Sequence, residues 1–129
     1  MVTGIQNPPD YTYRIEAVKW YIREHIDEPL ERDILAAVAG FSVPHFHRLF
    51  SAQVGATISD YVRWVRLERA GRKLRMGAVD ITEVALAAGY HSHAAFGKAF
   101  KHQFGLSPSE FRQLTCNEAT TLLLKGRQI

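Results

Sequence analysis

The sequence predicts an all-α protein in which two helix-turn-helix subdomains share one long joining helix, and two observations carry that prediction. A proline-free stretch over residues 57–75 turns an apolar face one way in its first half and the opposite way in its second. The segment that precedes this stretch also recurs after it as a recognisable second copy. A helix with two opposed apolar faces serves two cores. A duplicated unit of short helix, glycine-containing turn and second helix supplies those cores.

Residues 1–11, with Asn7-Pro8-Pro9-Asp10, read as a disordered lead-in. Over 12–26, Ile15, Val18, Ile22 and Ile26 fall at helical spacing while Glu16, Lys19, Arg23 and Glu24 take other positions, so an amphipathic helix is expected there, broken by Asp27-Glu28-Pro29. A short helix over 32–39 follows. Gly40 stands where a left-handed cap suits a glycine. Ser42 is placed to cap the next helix, and Pro44 lies in its first turn, where the absent N–H is harmless. Phe46, Leu49 and Phe50 form the inward face of that helix. Together these elements make a first subdomain over 12–56.

The long helix opens with Thr57-Ile58-Ser59-Asp60, a variant of the capping box. At about 100° per residue, Ile58, Tyr61, Val62 and Val65 gather on one side and Trp64, Leu67, Ala70, Gly71 and Leu74 on the other. A third stripe aligns Arg66, Arg69 and Lys73, as a solvated face or as one turned to a polyanion. Met76-Gly77-Ala78-Val79 closes the helix, and Asp80-Ile81-Thr82-Glu83 opens the next with a second capping box. From there the pattern returns. Ala36-Ala37-Val38-Ala39-Gly40-Phe41 answers to Ala85-Leu86-Ala87-Ala88-Gly89-Tyr90, forty-nine residues on. The run from Ser42 to Phe50 answers to the run from Ser92 to Phe100, fifty residues on, because the second turn holds the extra His91. Gly55 with Gly105, Thr57 with Ser107 and Tyr61 with Phe111 continue the match, which marks a second subdomain over 76–114.

In a helix-turn-helix, the second helix is the one that reaches a partner. On the first of these, the positions facing away from Phe46 hold Pro44, His47, Arg48 and Ser51; on the second, those facing away from Phe96 hold Ala94, Gly97, Lys98 and Lys101, with His91 and His93 beside them. Neither outer face carries an acidic residue. With Arg66 of the long helix, these are the candidate DNA-contacting residues. Arg48 offers a planar fork that can hold O6 and N7 of a guanine, whereas Lys98 is a point charge and Ala94 and Gly97 present no polar side-chain atom. Unequal base readout by the two units is therefore expected. Gly97 costs its helix about 1 kcal/mol relative to Ala, which suits a backbone that comes close to a sugar or a thymine methyl.

The chain has 129 residues, the size of one ordinary domain or of two small ones that lean on each other. Its net charge of +3 is unevenly placed: the residues up to Asp33 hold four basic and seven acidic side chains, a balance of −3, and those from Ile34 to Arg112 hold ten basic and five acidic, a balance of +5. Such asymmetry points to a polyanionic partner. A single cysteine, Cys116, excludes an internal disulfide. The first ten residues lack a signal-peptide pattern and no stretch approaches the ~18 apolar residues of a membrane span, so a cytoplasmic location without a membrane partner is expected.

His45-Phe46-His47 and His91-Ser92-His93 invite a hydrolase or a zinc site. Residues two apart on a helix point about 200° apart, and no HExxH or cysteine set accompanies them. No enzyme, catalytic residue, metal or cofactor is expected. A helical protein-interaction scaffold without DNA binding is the alternative, and salt-insensitive behaviour on heparin or duplex DNA would mark it, because phosphate contacts release counterions.

Gly40-Phe41-Ser42 through Phe50, Gly55, the Arg66-Leu67-Glu68-Arg69-Ala70 run, residues 81–89, and Phe100 followed by Gly105-Leu106-Ser107-Pro108-Ser109-Glu110-Phe111-Arg112 resemble the DNA-binding domain of AraC/XylS-type transcription regulators. The resemblance covers about residues 15–114. It implies sequence-specific binding of double-stranded DNA at two successive major-groove segments, activation or repression of transcription with RNA polymerase as a further partner, and binding as a monomer unless an effector domain dimerises the protein. Arg32 and Ile58 stand where the family usually has an apolar residue and a proline. Pro44 occupies a position that members often use to touch DNA, so a narrower readout by the first unit is implied. After Leu114 the family pattern stops. Residues 115–129, with Thr120-Thr121-Leu122-Leu123-Leu124-Lys125-Gly126, read as a tail that packs back or as the start of an effector domain. At ~1.5 Å per residue the long helix spans about 28 Å, short of the ~34 Å between successive major-groove faces, so bent DNA or splayed reading helices are expected.

Overall fold

The computed structural model describes residues 11–77 and 80–125, which divide into a first unit running to Ser59 and a second starting at Asp60. All regular structure among the described residues is helical. Residues 1–10 of the expected lead-in over 1–11, Ala78 and Val79 at the close of the long helix, and the tail beyond Lys125 lie outside the described residues.

In the first unit, helix α1 (Thr12–Glu24) buries Ile15, Val18 and Ile22, the stripe its spacing dictates. Tyr11 sits at its N-cap and meets Phe41 edge to face, ring centroids 4.9 Å apart. The helix stops before the expected end at Ile26. His25 leaves helical geometry, its ring stacks on Tyr21 at 3.9 Å, and its Nδ1–H and backbone N–H both donate to the Tyr21 carbonyl. Ile26 is nonetheless buried, from the turn.

Helix α2 (Arg32–Ala39) buries Leu35, Ala36 and Ala39. Arg32, polar where relatives of the resembled family are usually apolar, is exposed as its first residue. The helix ends on Gly40 at φ +79°, with the Gly40 N–H donating to Ala37 and the Phe41 N–H to Ala36. A Cβ at Gly40 would also come within 3.5 Å of the Arg14 guanidinium, which lies 4.9 Å over the Phe41 ring. Helix α3 (Val43–Val54) inserts Phe46 and Phe50, both fully buried, while Leu49 is only half-buried at the edge. The sequence expects Ser42 to cap α3 through its hydroxyl. It holds the N-cap position without a side-chain bond. An N-cap hydroxyl accepts from the second or third amide of the helix, and Pro44 has removed the second.

Helix α4 (Ile58–Leu74) buries both opposed stripes: Ile58, Tyr61, Val62 and Val65 on one side, Trp64, Leu67, Ala70, Gly71 and Leu74 on the other. Leu67, Ala70 and Leu74 enter the core of the second unit. Among the described residues Glu68 is the one buried charged side chain, and Arg72 one turn on donates to it at 3.0 Å.

In the second unit, helix α5 (Ile81–Ala87) is capped by Asp80, whose Oδ1 accepts from the Thr82 N–H. The capping box expected over 80–83 does not close, because the carboxylate takes the second amide of the turn rather than the third. Two boxes close elsewhere: Ser107 with Glu110 at helix α7 (Pro108–Arg112), and Thr115 with Glu118 at helix α8 (Cys116–Lys125). Helix α6 (His93–Phe104), capped by the Ser92 hydroxyl, lines up Phe96, Phe100 and Phe104 on its inner face. Phe111 of α7 (Pro108–Arg112) meets Phe100 edge on at 5.3 Å. Helix α8 (Cys116–Lys125) then lays Ala119 and Leu123 into the same core. The described part of the segment after Leu114 thus packs back on the second unit through α8. Arg75 fastens the corner by donating to the carbonyls of Leu114 at 2.7 Å and Phe111 at 3.4 Å, and Arg112 donates to that of Gly77 at 3.1 Å.

Candidate nucleic-acid interface

Each unit presents its second helix in the same local setting. Aromatic rings fix the inner face of α3 through Phe46 and Phe50 and that of α6 through Phe96, Phe100 and Phe104, so the intervening residues are turned outward. Both helices end in a left-handed glycine, Gly55 at φ +83° and Gly105 at φ +84°. Neither helix contains a carboxylate.

On α3, Pro44, Arg48 and Ser51 are exposed. His47 is not fully outward. It is half-buried, its ring edge to face with Phe46 at 6.1 Å, and its buried Nε2 has no hydrogen-bond partner. Only part of this ring is available to a partner, so the leading polar atoms of the face belong to Arg48 and Ser51. Pro44 contributes shape and no donor.

On the second unit, His91 lies in the turn and His93, Ala94, Lys98 and Lys101 lie on α6, all exposed. Gly97 sits on the flank: a Cβ there would meet the Pro108 ring at 3.9 Å, an ordinary contact. The position is therefore shared between the outer face and the start of α7. Lys98 and Lys101 line one pocket with Arg63 of α4, a cation that the sequence reading did not single out. Arg63 falls between the two apolar stripes and outside the Arg66, Arg69 and Lys73 row, and only the fold brings it beside α6. Its bond to Asp60, 3.2 Å with both side chains about half exposed, is of the kind that contributes little. Arg66 is half-buried. Burial raises the Tyr90 hydroxyl above its ordinary pKa, against a smaller opposing pull from the positive charges of Arg63 and Arg66.

Among the described residues, no three His, Cys, Asp or Glu side chains form a group that could hold a metal, and no helix is long and apolar enough to cross a membrane.

Residues 35–114 match the helix-turn-helix domain family. Over 97 residues the chain is 36% identical to the regulatory protein SoxS of Escherichia coli K12, a match that covers 75% of this chain and 90% of that relative. This chain belongs to the AraC-type helix-turn-helix family of transcription regulators. The AraC-type architecture is equally visible in solved structures. An AraC-type transcriptional regulator from Chromobacterium violaceum superimposes with a TM-score of 0.72 at 29% identity, over 78% of this chain and 89% of that one. The DNA-binding domain of AdpA, solved with a target DNA, superimposes with a TM-score of 0.65 at 29% identity, over 77% and 89%. As an AraC-type protein, the chain is a DNA-binding transcription regulator with two helix-turn-helix units joined by α4.

Proposed function

We propose that α3 and α6 each enter a major groove, so that one chain reads two successive segments of a duplex. The absence of any carboxylate from both helices, while exposed cations and small residues occupy their outer faces, is the observation that carries this reading. Arg48 reads a base, with Ser51, Pro44 and the exposed part of His47 around it. On α6, Lys98 and Lys101 hold phosphate, His91 and His93 flank them, and Ala94 and Gly97 allow close approach. Arg63 and Arg66 of α4 add phosphate contacts near the second unit.

Binding as a monomer follows from two reading helices on one chain, and a further dimerising domain would change it. RNA polymerase is the expected second partner, the cytoplasm the expected location, and the chain acts by binding without catalysis. Because α4 is short against one helical repeat of DNA, the duplex bends or the reading helices splay. The decisive experiment is selection of bound sites from a random duplex pool, followed by affinity measurements over a range of salt. A two-part enriched site and a steep loss of affinity with salt are expected. An unenriched pool with salt-insensitive retention would reject the reading.

A further inference from the structure

A pocket of about 600 Å³ opens on the second unit, within the size range of small-molecule sites. Leu67 of α4, Tyr90 of the turn and Ala99 of α6 supply apolar wall, and Arg63, Lys98 and Lys101 supply charge. No carboxylate lines it. Two acidic side chains act on its cations from outside the lining: Asp60 holds Arg63 in an exposed pair, and Glu110 is within electrostatic reach of Lys101. The Tyr90 hydroxyl, whose pKa burial raises further above its ordinary value of 10, is a hydrogen-bond donor to an anionic guest.

This combination selects its guest. A polar polyanion would satisfy the cations and leave the apolar wall wet, whereas an uncharged apolar molecule would cover the wall and gain nothing from the cations. We infer that the pocket binds a small amphipathic anion, an aromatic or short-chain carboxylate, with its head answered by Arg63, Lys98 and Lys101 and its body laid on Leu67, Tyr90 and Ala99. Lys98 and Lys101 are also the cations assigned above to phosphate. A bound carboxylate therefore competes with DNA, and this consequence, though not the site itself, rests on the proposed function.

The test is a titration of the full chain, followed by amide NMR shifts, with 2-naphthoate and with its uncharged counterpart 2-naphthamide. Saturable shifts at Leu67, Tyr90, Ala95 and Ala99 are expected with naphthoate, and binding of naphthamide at least tenfold weaker. Arg63→Ala should weaken naphthoate several-fold and leave naphthamide unchanged. Ala99→Trp, which fills the pocket, should abolish both, and Arg63→Ala decides the matter if the tryptophan variant misfolds. No saturable shift at those four residues, equal affinity for the two compounds, or an equal effect of Arg63→Ala on both would overturn the site. With naphthoate at ten times its dissociation constant, the apparent Kd for a labelled duplex should rise about tenfold by mass action. Unchanged duplex affinity at saturation would overturn the competition. A chain that binds no duplex even without naphthoate would reject the proposed function, and the titration would still decide the pocket.

Discussion

The Cβ that Gly71 lacks would lie 3.1 Å from Cδ2 of Leu123, with ring carbons of Phe100 and Phe111 at 3.5 Å. This glycine lets α8 settle against α4. An alanine there gains about 1 kcal/mol of helix propensity and must displace a leucine that is 4% exposed. Overpacking of this kind costs about 1–3 kcal/mol, so Gly71→Ala should be net destabilising by about 1 kcal/mol. In a Leu123→Ala background the same change should become neutral or stabilising. A double-mutant cycle by urea unfolding measures the coupling, and additive effects would show that Leu123 moves aside freely.

Arg48 and Lys98 occupy matching places in the two units and differ in chemistry. Arg48→Ala should cost about 1–3 kcal/mol on the preferred site and flatten base preference at one or two positions. Lys98→Ala should weaken binding to many sequences alike and reduce the salt slope by about one. Equal loss of discrimination in the two variants would show that the second helix reads bases as strongly as the first.

Gly97 separates two explanations of a glycine inside α6. A Cβ meets only the Pro108 ring at 3.9 Å, so Gly97→Ala should stabilise the second unit by about 1 kcal/mol. If the backbone there approaches DNA closely, the same variant should bind its site several-fold more weakly despite being more stable. Raised stability with unchanged affinity would show that the glycine is simply tolerated there. A thermal melt and an anisotropy titration suffice.

Acid should loosen the second unit. Glu110 and Glu118 lie below the ordinary carboxylate value of 4.5, chiefly because each accepts the backbone N–H of its N-cap residue, Ser107 or Thr115, and then that residue's hydroxyl. A carboxylate whose pKa is lowered on folding contributes stability that is fully present above 4.5 and is lost as pH falls through the lowered value. The Tm should therefore drop between about pH 5 and about pH 3, with a shallower slope in the Glu110→Gln, Glu118→Gln double variant. Identical slopes would show that these two boxes do not contribute to the acid response.

Much of this fold is legible in the residue order because periodicity encodes it directly. The opposed stripes of α4, the paired aromatic faces and the repeat from Gly40 to Gly89 need no tertiary information. What escaped had a tertiary or side-chain cause. His25 ends α1 through its ring on Tyr21, and Pro44 deprives the Ser42 hydroxyl of an amide, neither of which a composition pattern reveals. The S-x-x-E and T-x-x-E spacings at Ser107 and Thr115, by contrast, are capping-box signals that the residue order itself carries. In the candidate interface, the outward set on α3 and α6 follows from helical angles. The half-burial of His47 and the arrival of Arg63 beside α6 do not, since both depend on how helices pack.

The contact of Leu123 with the bare backbone at Gly71 joins residues fifty-two positions apart. On the ribosome, α1, α2 and α3 have all been made by Val54, well before α8 exists. The second unit must wait, with Phe100, Phe104 and Phe111 short of their last neighbour until Leu123 clears the exit tunnel. Synthesis thus imposes an order in which the half carrying Arg48 can finish folding while the half carrying Lys98 is still a nascent chain.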